Sequence, residues 1–290
     1  MKGTILVTGS TGNVGTELIA CLKKVDADVK ATVFSKKSAT RLDKNIEKVI
    51  FDFEKTETFN KALVGVKKVF LMRPPQMGDP KKLYPFIDAV KKAGVEQMVF
   101  LSLLGVQHNP LAPHGYIEKY IIKSGIPYTL LRPSFFMQNL STTHCKDIRE
   151  CNEIIIPAGK GKTSFVDIRD IAAVAAKVLT EPGYDNKAYD LTGSEALSYY
   201  QVSEILSKVT GKDITYTNPS LKAFGKRMSA TEGVDKDFVT VMKGIYLVAK
   251  LGLAGKVTKE TEQILGRRPI TFEQFAIDNK HLFIDKLADN

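Results

Sequence analysis

Two residues near the middle of the chain carry side chains that could move a proton, Ser102 and His114. Ser102 ends an apolar run in the segment VFLSLLG. His114 can act as a proton donor, because the pKa of a histidine lies close to neutrality; alternatively it begins a helix and faces solvent, and both interpretations stay open. Glu118 follows His114 on the same helix face, and we expect a structural hydrogen bond or salt bridge there. Ser102 and His114 are therefore the candidate catalytic residues.

A glycine-rich segment, VTGSTGNVG at residues 7–15, follows an apolar run close to the N-terminus. A helix that begins after such a segment offers backbone N–H groups and partial positive charge to a phosphate. In this pattern Gly9 makes a tight turn, Gly12 lets a diphosphate approach, and Gly15 lets the helix pack against the strand. The pattern predicts a dinucleotide site. Its predicted contact residues are Gly9, Ser10, Thr11, Gly12, Asn13 and Val14.

Short β-rich runs alternate with helical patterns over the first part of the chain. The runs occupy residues 4–8, 29–34, 48–51, 68–72, 97–101 and 128–131. Such alternation, with nearly continuous apolar strands, predicts a parallel sheet that helices cover on both faces. We therefore predict an α/β protein, with a Rossmann-type doubly wound parallel sheet and a smaller, helix-rich C-terminal substrate or cap region. Ligands bind at the carboxyl ends of such strands, where Ser102 would stand.

The same pattern predicts two domains. Residues 1–150 would form the NAD(P)-binding Rossmann domain, and a helical pattern at residues 165–185 would return to it. Residues 186–290 would form the smaller C-terminal domain, partly interleaved with the first.

The end of the second predicted strand bears on the choice of dinucleotide. An NAD site usually has a carboxylate there for the ribose 2′-hydroxyl, but residues 29–42 contain no Asp or Glu. The chain instead carries Phe34, Ser35, Lys36 and Lys37. The hydroxyl of Ser35 and the ammonium groups of the two lysines suit a 2′-phosphate. NADP(H) is therefore preferred, with NAD(H) as the alternative; the lysines could equally belong to a generally basic surface.

The third predicted strand is followed by Asp52 and Phe53, which are candidate neighbours of an adenine ring. Asp52 could equally cap the next helix.

The composition excludes several other functions. The net charge is +10, but only eight of the 42 basic residues are arginine, so a lysine-rich solvated surface is a better interpretation than nucleic-acid recognition. The three cysteines and four histidines show no metal-ligand or disulfide spacing, and we predict no metal. With no apolar run of 18 residues, we predict a cytoplasmic protein that does not bind membranes.

Five segments together resemble the NmrA-like family of atypical short-chain dehydrogenases: VTGSTGNVG, ALVGVKKVFLM, VFLSLLG, YTLLRPSFFMQNL and SFVDIRDIAAVAAKVL. That family includes NAD(P)H:quinone oxidoreductases of type 2, NAD(P)H azoreductases and redox-sensing regulators. The resemblance implies a Rossmann domain, a smaller C-terminal domain and a cleft between them. It also implies positions for the ligands. Met72, Arg73 and Pro74 would lie beside the adenosine and ribose, Pro133, Ser134 and Phe135 at the nicotinamide end, and Phe135, Phe136, Gln138 and Asn139 beside the acceptor.

The chain departs from the family pattern at three positions. Phe34 stands where the family often has an arginine for the 2′-phosphate, and His114 stands where it often has a lysine for the nicotinamide ribose. Arg73 stands where the family tends to have a small polar residue; it could meet a phosphate, an anionic substrate or the partner of a surface salt bridge.

The Tyr-x-x-x-Lys pair of many short-chain dehydrogenases is missing from the expected region, where Tyr116 is followed by Tyr120. The match at Tyr246 and Lys250 lies in the C-terminal helical region, and we interpret it as coincidence. A quinone accepts hydride directly and tolerates this loss.

We therefore predict an NAD(P)H-dependent oxidoreductase that reduces a quinone-like or azo small-molecule acceptor by direct hydride transfer. The alternative is a catalytically silent NADP(H)-binding redox sensor that acts through a protein partner. A homodimer is left open.

Overall fold

The computed structural model describes residues 3–109, 112–230 and 236–284. The strands are β1 (Thr4–Val7), β2 (Val29–Val33), β3 (Glu47–Ile50), β4 (Val66–Met72), β5 (Gln97–Leu101), β6 (Tyr128–Pro133), β7 (Glu153–Ile155), β8 (Lys162–Thr163), β9 (Lys187–Leu191), β10 (Leu197–Ser198) and β11 (Thr215–Thr217).

The helices are α1 (Asn13–Lys24), α2 (Lys36–Ala39), α3 (Glu57–Leu63), α4 (Tyr84–Lys92), α5 (Pro113–Ser124), α6 (Gln138–Ser141), α7 (Cys145–Cys151), α8 (Ile168–Thr180), α9 (Tyr199–Thr210), α10 (Leu221–Ser229), α11 (Lys236–Lys250), α12 (Glu260–Leu265), α13 (Phe272–Asp278) and α14 (Lys280–Ile284). No helix in these described ranges is long and apolar enough to cross a membrane.

A seven-stranded parallel sheet forms the centre of the fold, in the order β3-β2-β1-β4-β5-β6-β9. This is the strand order of a doubly wound Rossmann sheet with one further strand, and it confirms the predicted fold class. The direction of winding reverses between β1 and β4, which is where such sheets bind ligands. The sequence predicted six of the strands. The seventh, β9, lies at the sheet edge and reads KAYDL, with only its last residue buried, so its apolar signal is weak.

Apolar side chains fix the helices to both faces of the sheet. All five residues of β5 are buried, as expected for a central parallel strand. Helices α3, α4 and α5 pack on one face in a cluster that includes Phe51, Phe86 and Phe100. On the other face α8 packs against α1 and against the central strands. The sheet is therefore a rigid base for the residues at its carboxyl edge.

The chain divides into two compact units. Unit 1 comprises residues 1–133 and 168–191 and contains the seven-stranded sheet. Unit 2 comprises residues 134–167 and 192–290. The division of function between a domain at residues 1–150, joined by residues 165–185, and a domain at residues 186–290 stays a prediction.

Unit 2 has a core of its own, rich in aromatic residues. Tyr199, Phe272 and Phe275 are buried in it, among the side chains of α9 and α13. Helix α9 begins and ends at clear capping residues: Ser198 caps its first turn and Gly211 ends it with φ +78°. Two small two-stranded sheets, β7 with β11 and β8 with β10, complete the unit.

Candidate active site

The glycine-rich turn between β1 and α1 depends first on Gly9. Its φ is +63°, in the left-handed region, and its carbonyl oxygen accepts a hydrogen bond from the N–H of Gly12 at 3.0 Å. A Cβ at this position would also collide with Cε of Met72. Gly9 therefore makes the tight turn, since no other residue type fits that backbone without strain.

Gly15 allows the first helix to approach the turn. A Cβ on Gly15 would collide with the carbonyl oxygen of Gly9 and would lie 2.7 Å from Cα of Ser10. The close contact is therefore between α1 and the backbone of the turn itself, and not between α1 and the strand, as the motif suggested.

Gly12 stands at the N-cap of α1, and no side chain there accepts a hydrogen bond from the first turn of the helix. Its φ of −88° and ψ of 171° are ordinary extended backbone. A Cβ would meet only the carbonyl oxygen of Gly9, at 3.3 Å, and Met72, at 3.8 Å. Thr11 is half-buried, Asn13 is exposed and Val14 is buried. The first N–H groups of α1 are thus open to an anion.

Buried hydroxyl groups tie the turn to the neighbouring strands. Ser10 donates to the carbonyl oxygen of Thr32 in β2. Thr8 donates to the carbonyl oxygen of Phe70 at 3.1 Å, and it accepts from the N–H of Met72 at 2.8 Å. The hydroxyl of Ser10 therefore holds the turn in place. Of the groups of Ser10, only the backbone is left for the cofactor contact that was predicted.

The residues after β2 are arranged around a short helix. Phe34 is 75% exposed. Ser35 caps α2, because its hydroxyl accepts from the N–H of Ser38 at 3.2 Å and Ser38 accepts from the N–H of Ser35 at 2.9 Å. Lys36 and Lys37 are exposed on this helix, and neither forms an ion pair with a carboxylate of the described residues. Both ammonium groups are therefore available to a phosphate.

Asp52 and Phe53, which follow β3, form hydrogen-bond and packing contacts within unit 1. The carboxylate of Asp52 accepts from the N–H of Glu54 at 3.0 Å, whereas the N-cap position of α3 is Thr56. Asp52 thus closes the turn that leads to α3. Phe53 packs edge-on against Phe51, with ring centroids 4.7 Å apart.

Both candidate catalytic residues are positioned by β5, one after the strand and the other with its ring against Phe100 of the strand. Ser102 follows β5 and is 1% exposed, and its Oγ has no hydrogen-bond partner among the described residues. His114 lies in the first turn of α5, with its ring against Phe100 at a centroid distance of 5.9 Å. Its buried Nδ1 also has no partner in the described chain.

The protonation state of His114 follows from its surroundings. Burial lowers the pKa of His114 to about 4, and the positive charge of Arg73 acts in the same direction. The imidazole is therefore neutral at pH 7. It can donate or accept one hydrogen bond, but it does not carry the extra proton that a donor near neutral pH would release, which corrects the form in which we expected it to act.

Arg73 lies close enough to influence His114 and has an unusual environment of its own. It donates to the carbonyl oxygen of Met77. Its Nε is buried without a hydrogen-bond partner, and burial lowers the pKa of the guanidinium. No described carboxylate pairs with it, so the surface salt bridge is not observed.

Glu118 serves a structural purpose, as expected. It is 5% exposed and forms a two-pronged ion pair with Arg132, at 3.0 and 2.7 Å. This pair fixes α5 to β6, and with it the turn that carries His114.

The segment predicted to line the nicotinamide and acceptor begins at Pro133, the last residue of β6, and continues into unit 2. Within that unit the hydroxyl of Ser134 lies 2.9 Å from that of Ser164. The side-chain amide of Gln138 donates to Asp167 at 2.9 Å.

The other residues of the segment are partly buried. Phe136 forms an isolated bridge with Val166. Phe135 packs against the core of unit 2, and Asn139 is half-buried. Met72 and Pro74, at the end of β4, are also half-buried. Their roles toward a ligand stay predictions.

Unit 2 contains a buried polar pair that no local sequence pattern indicates. Nε2 of His144 is hydrogen-bonded to the hydroxyl of Tyr246, and both side chains are buried. The two residues are 102 positions apart, so no local pattern could have linked them. Because the hydroxyl of Tyr246 is occupied in this core, the environment favours the interpretation of its Tyr-x-x-x-Lys match as coincidence. In the described part of the chain, no group of His, Cys, Asp and Glu side chains could hold a metal.

The fold and the glycine turn define a Rossmann-type nucleotide-binding protein. The chain belongs to the NmrA-like family, whose sequence profile matches residues 1–275; the predicted resemblance is thereby confirmed. It is 33% identical over 279 residues to an NAD(P)H azoreductase of Xenophilus azovorans, covering 94% of this chain and 96% of the relative.

Two solved structures are similar over 96% of this chain and 99% of their own. One is the triphenylmethane reductase of Citrobacter sp. complexed with NADP(H), with 26% identity and a TM-score of 0.85. The other is the NADPH-dependent quinone oxidoreductase of Escherichia coli complexed with NADPH, with 29% identity and a TM-score of 0.85.

Proposed function

We propose that this protein is an NADPH-dependent oxidoreductase that reduces a quinone-like or azo small-molecule acceptor by direct hydride transfer. The observation that carries the proposal is the pair of unpartnered polar atoms, Oγ of Ser102 and Nδ1 of His114, at the carboxyl edge of the sheet. Buried polar atoms without partners are costly unless a ligand completes them. The reductases and the azoreductase that resemble this chain support the same conclusion.

The residues of unit 1 fit NADP(H). The uncapped first turn of α1 would receive the pyrophosphate, because Gly12 leaves its N–H groups open. Lys36 and Lys37 would receive the 2′-phosphate, since both ammonium groups lack a described partner. Ser102 and His114 would lie at the nicotinamide end. Bound NADPH supplies the hydride.

The side chains at the reacting end have separate tasks. A quinone that gains a hydride becomes an oxyanion, which then takes a proton from solvent. The hydroxyl of Ser102 would donate a hydrogen bond to that oxygen, and the neutral imidazole of His114 would orient the ring of the acceptor or cofactor. This arrangement requires no Tyr-x-x-x-Lys pair.

The deciding experiment is anaerobic oxidation of NADPH by the purified protein with a panel of quinones and azo compounds, with NADH in parallel. We expect acceptor-dependent turnover, with NADPH well ahead of NADH. Saturable NADPH binding without turnover on any acceptor would contradict the proposal.

A second candidate is the silent NADP(H)-binding sensor. One observation favours it: the hydroxyl of Tyr120, in the helix that would carry a catalytic tyrosine, is bound to Asp88 at 2.9 Å. Binding without turnover would select this candidate, and a protein partner would then have to be sought. The homodimer and the cytoplasmic location stay predictions.

A further inference from the structure

Arg73 is a partly buried cation without a described anion. Its guanidinium donates to the carbonyl oxygen of Met77, its Nε has no partner, and no carboxylate in the described ranges reaches it. A guanidinium is built to hold an oxyanion through parallel N–H groups. Leaving it partly desolvated and unpaired costs stability, which is typical of a binding site.

The strand register places Arg73 with the reacting residues. In the pairing of β4 with β5, Met72 lies opposite Leu101, so Arg73 and Ser102 are the next residues on both strands. Side chains alternate between the faces of a sheet. Leu71 and Phe100, two positions earlier, both belong to the cluster formed with α4 and α5. Arg73 and Ser102 are thus the first residues beyond the carboxyl ends of these two neighbouring strands.

The side chain that contacts the glycine turn is that of Met72, the residue before Arg73. Met72, whose side chain alternates with that of Arg73, approaches Gly9 so closely that a Cβ there would collide with it. Arg73, in contrast, acts electrostatically on His114, which packs on Phe100. We therefore place the guanidinium at the reacting end of the site and not at the pyrophosphate turn, which differs from the position beside the adenosine and ribose that the family resemblance implies.

We propose that Arg73 binds an anionic oxygen group of the acceptor, a sulfonate or a carboxylate, and that the protein selects acceptors that join a reducible ring to such a group. The inference rests on the proposed function and specifies its substrate class. A phosphate of the cofactor is the other source of the same chemistry, and the experiment separates the two.

The test compares two acceptors with the same ring, 1,2-naphthoquinone and 1,2-naphthoquinone-4-sulfonate. The wild-type protein should have the higher kcat/KM with the sulfonate. In Arg73→Met we expect the ratio of the two kcat/KM values to fall by about 10- to 100-fold, the loss typical of a hydrogen bond to a charged group. Arg73→Lys keeps the charge and should retain part of the preference. Arg227→Met, which removes an arginine paired with Asp147 elsewhere in the chain, should leave the ratio unchanged.

A binding measurement keeps the inference independent of turnover. Binding of 2-naphthalenesulfonate and of 2-naphthol to the protein saturated with NADP⁺ can be followed by calorimetry. Arg73→Met should weaken binding of the sulfonate by about tenfold or more, and that of the naphthol much less. This result would hold even if no acceptor were reduced, in which case only the proposed function would fail.

Two outcomes would overturn the inference. One is an equal loss of binding affinity for 2-naphthalenesulfonate and 2-naphthol in Arg73→Met, which would mean that Arg73 does not bind the anionic group. The other is a loss confined to NADPH and NADH affinity in Arg73→Met, with the acceptor ratio preserved; the guanidinium would then hold a cofactor phosphate.

Discussion

Replacing Gly12 by aspartate should make the unliganded protein more stable while it weakens cofactor binding. Gly12 is the N-cap residue of a 12-residue helix, and no side chain caps that helix. Aspartate is among the best N-cap residues, and its carboxylate also interacts favourably with the helix dipole. The backbone at Gly12 is extended, so a side chain introduces no backbone strain there.

The two effects have magnitudes that can be estimated. A Cβ at position 12 would lie 3.3 Å from the carbonyl oxygen of Gly9, a tight contact that costs a few tenths of a kcal/mol. Against it stands a capping and dipole gain of about 0.5 to 1 kcal/mol, so we expect a net gain of a few tenths. A carboxylate about 4 Å from a phosphate charge repels it by about 1 kcal/mol in water and about 4 kcal/mol near a protein surface. NADPH should therefore bind about 5-fold to 10³-fold more weakly.

The assay is thermal unfolding without ligand, together with NADPH titration by fluorescence. Gly12→Ser is the matched control, because it caps the helix without a charge; it should give a smaller gain in stability, since it lacks the dipole term, and a smaller loss of affinity. Undiminished NADPH affinity in folded Gly12→Asp would refute the site. A clear loss of stability in both variants would refute the account of the helix start.

Three further predictions follow from the arrangement of basic and buried residues. Lys36→Glu/Lys37→Glu should weaken NADPH far more than NADH in binding titrations, because these lysines would meet the 2′-phosphate. Burial lowers the pKa of both His114 and His144 to about 4, so below pH 6.5 the unfolded chain binds more protons than the folded one. As the pH drops from 6.5 toward 4, the free energy of unfolding should therefore fall by up to about 1.4 kcal/mol per pH unit for each histidine. Denaturant titration measures this fall. Tyr246→Phe should destabilise the protein by about 1–3 kcal/mol by leaving His144 unpaired, with turnover within about twofold of wild type.

Each of these predictions has a control. Lys222→Glu/Lys226→Glu reverses the same charge on an exposed helix of unit 2, so an NADPH loss equal to that of the Lys36 and Lys37 variant would show a general charge effect. For the pH dependence, His144→Gln should remove about half of the slope, and an unchanged slope would contradict the assignment. A large loss of turnover in Tyr246→Phe, out of proportion to its stability, would contradict the interpretation of its motif as coincidence.

The sheet was predictable because its signals are local. Strands β1, β4, β5 and β6 each contain a short, buried apolar run, and parallel strands buried on both faces need no other feature. The turn at Gly9 was predictable for the same reason, since its positive φ is a property of one residue. The edge strand β9 was not, because three of its five residues are half-buried and another is exposed.

The candidate site was predictable only in part, because its properties depend on residues distant in sequence. The motif placed Ser10 at the site, but the bond of its hydroxyl to Thr32 depends on β2. The sequence left the role of His114 open; its neutral state follows from burial and from Arg73, 41 positions earlier. A sequence pattern can thus identify which residues could react, whereas their protonation states depend on the packing around them.

The neutral histidine and the unpaired arginine are consistent with each other in physical terms. Burial and, as the smaller cause, the positive charge of Arg73 both disfavour protonation of the imidazole of His114, so this side chain is not an acid at pH 7. Such a pair is unsuited to a reaction that needs a strong proton donor at the moment of transfer. It suits an acceptor that takes its proton only after the hydride step, because such an acceptor needs no acid at the moment of transfer. A quinone is such an acceptor, since its reduced oxygen can leave the hydride step as an anion and take its proton afterwards from solvent.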